Sequence, residues 1–257
     1  MRSFKYIFAF IFVFSALAPG VFAQEAHKKT VTCDLKEPLA QLALLKKESE
    51  DSTPKTELAL RKDILSTTME CTAREAERLI VSLEEIEPSS KKAEKLRKVY
   101  LAGLEEVVSL ATVRQKSAKE LETINATKKS ARSAKNWRDN SYRPLAWEAA
   151  QLVVLEKNQS LIKGAEDRLS QLKKNSGALI NLEGSAAITA KLTRTKDLLR
   201  NAQLATNATY DLFNQSPRTE QGPITENIKY SLDSLSETYE LFLEARKSMH
   251  KFFPTTE

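Results

Sequence analysis

Few side chains in this sequence could carry covalent or acid–base chemistry: two His, two Cys and a large set of carboxylates in 257 residues. His27 and His250 stand near opposite ends, so they cannot form the pair four residues apart that holds a catalytic zinc. No Glu-x-x-His motif of the di-iron bundle type occurs. Gly-x-Ser-x-Gly, phosphate-cradling glycine loops, Gly-x-Gly-x-x-Gly and Cys-x-x-Cys-His are also absent. Met69 and His250 are of the types that hold a non-covalent haem between helices. The competing reading gives Met69 to the core and His250 to solvent or a helix end. Glu84, Glu85 and Glu87 cluster, as do Glu105 and Glu106. Adjacent helical residues diverge by about 100°, so these read as solvated faces rather than acid/base pairs. Glu94 with Lys98 reads as a surface pair. The expectation is no enzyme, no cofactor and no metal.

Cys33 and Cys71 lie 38 residues apart, a spacing that fits no short metal or redox motif. Their meaning depends on compartment. Arg2 and Lys5 precede an uncharged run from Tyr6 to Ala18; Pro19-Gly20 breaks it, and Val21-Phe22-Ala23 follows. That is the pattern of a secretory signal cleaved after Ala23, with a retained anchor as the alternative. The run is short beside the roughly 20 residues of a membrane span. The chain is therefore expected to be exported, periplasmic or extracellular, with Cys33 and Cys71 paired. In the chain-entropy model, closing such a loop stabilises the fold by about 4 kcal/mol. Loss of Arg2 and Lys5 would lower the formal charge from +6 to +4.

The densest charge lies between residues 128 and 143. Lys128, Lys129, Arg132, Lys135, Arg138 and Arg143 are opposed by Asp139 alone, and Trp137 and Tyr142 are interleaved. Such a patch could hold an anionic envelope polymer or a membrane surface. Nucleic acid suits the pattern chemically, but export disfavours it. The plainer reading is structural: Trp137, Tyr142 and Trp147 would close a helix–helix corner. Both hold if the rings point inward and the charges outward. Asn-x-Ser/Thr triplets at Asn125, Asn158, Asn207 and Asn214 carry no assigned role, three of them falling in predicted helices.

These residues need elements to position them. With Gly 6 and Pro 8, turn-rich β architectures are disfavoured. Asp34 could cap a short helix from about Leu35 to Glu50. Thr53-Pro54 would start a long one to about Glu87. Its inner stripe reads Leu58, Ile64 or Leu65, Thr68, Cys71, Glu75, Leu79, Ser82 and Ile86. Residues 91–136 carry a heptad-like pattern, with Leu96, Gly103, Leu110, Ser117, Ile124 and Ala131 in one column. Tyr100, Val107, Arg114 and Leu121 form the other. Arg138–Pro144 interrupts it and reads as a turn, a kink being the alternative, before a helix from Leu145 to Leu179. Helices from Ser185 to Asn214 and from Ile224 to Phe252 follow. The first has the stripe Ile188, Leu192, Thr195, Leu199, Ala202, Thr206, Thr209 and Phe213; the second repeats Ile228, Leu235, Phe242 and Met249. Ser216–Pro223 is the clearest linker.

The expected fold is all-α: an elongated, antiparallel, coiled-coil-like bundle of about five long helices and a short N-terminal one. Residues 1–23 would be the signal, and 24–257 one domain. Within it, a disulfide-tied hairpin would cover 33–87, a long hairpin 91–182 and a third 185–257. The expected role is a non-enzymatic interaction or scaffold module of the cell envelope. It would bind a protein partner, or itself, through helix faces. Polymer or membrane binding through 128–143 is the alternative, and a haem or small-ligand carrier is third.

Overall fold

The computed structural model describes residues 33, 35–47, 54–176, 185–213 and 221–250. The chain divides into residues 1–34 and 35–257; Cys33 is the one described residue of the first unit, and all the helices belong to the second. The signal at 1–23, the caps Asp34 and Thr53, the 181–184 loop and most of the 216–223 linker lie outside the described residues. Among the described residues all regular structure is helical: α1 (Lys36–Lys47), α2 (Pro54–Glu84), α3 (Lys91–Lys119), α4 (Ile124–Trp137), a π-helical turn (Arg138–Tyr142), α5 (Arg143–Ser176), α6 (Ser185–Phe213) and α7 (Gln221–His250). The fold is an all-α helical bundle. Neither Cys33 nor Cys71 is a free thiol; both are disulfide-bonded, and the chain has no other cysteine.

Two boundaries correct the sequence reading. The 91–136 helix passes through Gly103 without a break but ends at Lys119. Thr123, in an extended conformation, caps a new helix by accepting a hydrogen bond from the Ala126 N–H at 3.1 Å. The heptad column carried the expectation across this break because Ser117, Ile124 and Ala131 keep their spacing on both sides of it. The expected turn at 138–144 is instead helical. Arg143 N–H bonds the carbonyl of Arg138, one residue further back than in an α-helix. α4, the π turn and α5 therefore run as one helix from 124 to 176. In a regular helix the Pro144 ring would press on the Asn140 carbonyl, and the wider turn relieves that conflict.

Three groups of buried side chains line up along this long helix. At its start, Leu65 and Met69 of α2 meet Ala118 of α3 and Ala134 of α4. In the middle, Leu83, Leu96, Tyr100 and Leu104 pack on Tyr142, Leu145, Leu152 and Leu155, joined by Tyr210, Ile224 and Ile228. At its end, Ile162, Ala165 and Leu169 of α5 pack on Ile188, Leu192 and Leu199 of α6 and on Leu235, Phe242 and Met249 of α7. Gly103 lets α3 approach this group closely: a Cβ there would meet Leu145 Cδ2 at 3.1 Å.

The stripes on α6 and α7 are buried as expected, except that Phe213 is half-buried. On α2 the stripe is rotated by one residue, to Leu65, Met69, Thr72, Ala76 and Leu83. On α3 the buried set is Ala93, Leu96, Tyr100, Leu104, Val107, Ala111 and Ala118. These recur at eleven residues, as in 93 and 104 or 96, 107 and 118, because a straight helix drifts away from a seven-residue repeat. Leu110 of the expected column is consequently left outside.

Candidate functional site

The basic segment is divided by helical geometry. Lys128, Lys129, Arg132 and Lys135 project from the outer side of α4 and are exposed, while Thr127 and Ala134 face inward. Tyr142 is buried at the end of the π turn, with its ring stacked on Trp137 at a centroid separation of 6.3 Å and 23° between planes. The Arg114 guanidinium covers the Trp137 ring from α3, 5.1 Å from its centroid. The rings thus close the corner, and Lys128, Lys129, Arg132, Lys135 and Arg143 remain outside while Arg138 is half-buried. Trp147 is partly buried against the middle core.

Asp139 sits between two of the cations. Its carboxylate pairs with Lys135 at 2.5 Å and with Arg143 at 2.8 Å. The hydrogen bond from Lys135 is the main cause that holds the Asp139 carboxyl below its ordinary value. Arg138 is half-buried, its Nε shielded from solvent without a hydrogen-bond partner. The Tyr142 hydroxyl makes no hydrogen bond of normal geometry and has the Glu75 carboxylate as its polar neighbour. Burial first, and Glu75 second, push this phenol well above its ordinary value. Lys128, Lys129 and Arg132 make no salt bridge within the described residues.

A second polar cluster escaped the sequence reading. Glu156, on the buried side of α5 between Leu155 and Asn158, is 5% exposed. One carboxylate oxygen accepts from the Ser89 backbone N–H at 2.7 Å, and the other accepts from the Tyr210 hydroxyl. Ser89 Oγ lies 3.1 Å from the same hydroxyl. Arg97 donates to the carbonyls of Leu83 and Ile86, closing the end of α2. The cluster ties the α2–α3 connection to α5 and α6, and burial followed by Glu156 raises the Tyr210 phenol. The readable signal was an acid inside the apolar column Leu152, Leu155, Ile162.

Other candidates settle into packing or surface. Met69 is fully buried against Leu65, Ala118 and Ala134, the core position weighed against a haem ligand. The side chain of His250 lies outside the described residues. Glu94 and Lys98 form the expected pair at 2.8 Å, which lowers the Glu94 carboxyl. Asn125, Asn158 and Asn207 are all helical, and Asn158 is 1% exposed; Asn214 is outside the described residues. No three His, Cys, Asp or Glu side chains converge on a metal-sized site among the described residues. No described helix is long and apolar enough to cross a membrane.

The fold defines a class, an all-α bundle built on one long shared helix. Compared with protein-family models, curated proteins and solved structures, the chain matches none.

Proposed function

We propose that this chain is an exported, non-enzymatic interaction or scaffold module of the cell envelope that binds a protein partner through an exposed helix face. The observation that carries the reading is the outer stripe of α3. Val99, Leu110 and Val113 are 50%, 37% and 57% exposed, and Ala102 is exposed between them. Steps of three, eight and three residues keep these four on one side of α3, away from the buried set. Single exposed apolar residues are ordinary, whereas an aligned row on one helix, here with the exposed Glu106 at its middle, is the surface a partner helix uses. Export is supported by the signal-like start of the chain and by the disulfide, which persists in an oxidising compartment.

The test is crosslinking of the full-length protein in its envelope, with recovery of bound proteins by the wild type and by Leu110→Glu/Val113→Glu. A partner that resists salt washing and is lost with the double variant supports the reading. Self-association lost with the same variant supports it equally. Failure to recover any partner, or equal recovery by both proteins, overturns it. Neither residue belongs to the buried core, so both proteins should melt alike.

A further inference from the structure

We propose that the outer face of α4 is a binding surface for a linear polyanion, an anionic polymer with a charge on each monomer. This is independent of the apolar stripe on α3. α4 contains four Lys/Arg and no Asp or Glu in 14 residues. The spacing of Lys128, Arg132 and Lys135 puts them in one row, about 10 Å from first to last at 1.5 Å per residue. Lys129 flanks that row. Asn125 and Asn136, both exposed, extend it with amide donors at either end. Asp139 engages Lys135 but leaves Lys128, Lys129 and Arg132 without an ion pair among the described residues. Those three carry the proposal.

The shape of the patch decides between an extended polymer and a bilayer. Binding flat on a membrane draws on apolar side chains that enter the headgroup region beside the cations. α4 itself presents none: its large apolar side chains, Ile124 and Trp137, are partly buried. Trp137, the aromatic residue of α4, is held between Tyr142 and Arg114. A narrow cationic row without apolar anchors suits a partner recognised by charge alone. Such a partner is held through counterion release, so its affinity falls steeply with salt.

The experiment measures binding of the full-length protein to inorganic polyphosphate and to phosphatidylglycerol–phosphatidylcholine vesicles. Wild type should bind polyphosphate with an affinity that falls roughly 20-fold between about 50 and 200 mM salt, as expected for three neutralised charges. Lys128→Glu/Lys129→Glu/Arg132→Glu should lose at least about tenfold and most of the salt dependence. The milder triple change to Gln should fall between the two, and it keeps the test valid if charge reversal disturbs the helix. Lys163→Glu/Lys196→Glu/Lys229→Glu makes the same change in net charge elsewhere and should bind like wild type. The proposal is overturned by no binding to polyphosphate, by equal losses in the two Glu triples, or by preferential retention on vesicles through the same three residues.

Discussion

The two ends of the helix that runs from 124 to 176 differ in how their buried polar side chains are bonded. At the first end, charge is turned outward on α4, and the interior holds Met69, Leu65, Trp137 and Tyr142, with Thr72 and Thr127 buried among them and bonded to carbonyls of their own helices. Toward the far end, buried polar side chains also bond one another across helices. Asn158 donates to Ser231 Oγ at 2.7 Å, and Thr206 and Ser231 are 3.2 Å apart. Thr195 and Thr209 bond the carbonyls of Lys191 and Ala205 four residues back, both at 2.9 Å. The inward arrangement permits close helix approach and buries less apolar area per residue. It also leaves Asn158 Oδ1 and Thr238 Oγ1 buried without partners. The second end therefore depends more on polar groups being satisfied across helices.

The largest test of that contrast is Cys33→Ser/Cys71→Ser. It should lower stability by about 4 kcal/mol in chemical denaturation, with hydrogen-exchange protection lost in α2–α4 before α6–α7. Met69→Ala should cost about 3 kcal/mol, the transfer term plus a cavity, read from the same denaturation midpoint. Asn158→Ala leaves Thr206 and Ser231 short of a donor and should cost about 2 kcal/mol. Thr238→Val has the opposite sign: removing an unpartnered buried hydroxyl should raise stability by about 1 kcal/mol. A fall in melting temperature there would mean that the hydroxyl is satisfied. Asp139→Asn should have the smallest effect. Its carboxyl has a lowered value in the folded state, so its contribution is present above the ordinary 3.8 and fades as pH falls through the lowered value. Melting curves of this variant should differ from wild type only slightly at pH 7 and not at all in strong acid.

The fold was legible where apolar residues keep a long, undisturbed period. Ile188 to Thr209 and Ile228 to Met249 were readable because nothing in those helices competes with the pattern. The reading slipped where two local signals traded places. Thr123 is one good cap in an unbroken-looking heptad, whereas Asp139, Asn140, Ser141 and Pro144 are several breaking residues that the helix absorbs. Propensity counts the second group as stronger, but tertiary packing of Tyr142 and Leu145 keeps the chain helical there. The basic corner was visible as composition. Its division into enclosed rings and outward cations needed the helix phase, and the Glu156–Tyr210–Ser89 cluster needed contacts across 121 residues of sequence.

The π turn has a consequence for how this chain can change. Buried positions before it, Thr127 and Ala134, are seven residues apart, but the next buried residue is Tyr142, eight further on. The extra residue acts as a phase shifter between two faces that share one axis. Deleting Asn140 would remove that offset and swing the whole of α5 by about 100° relative to α4. One end could then stay packed only if the other lost its register, so a single deletion here should be far more disruptive than any substitution at the same site. Length, rather than residue identity, is what this stretch of chain must preserve.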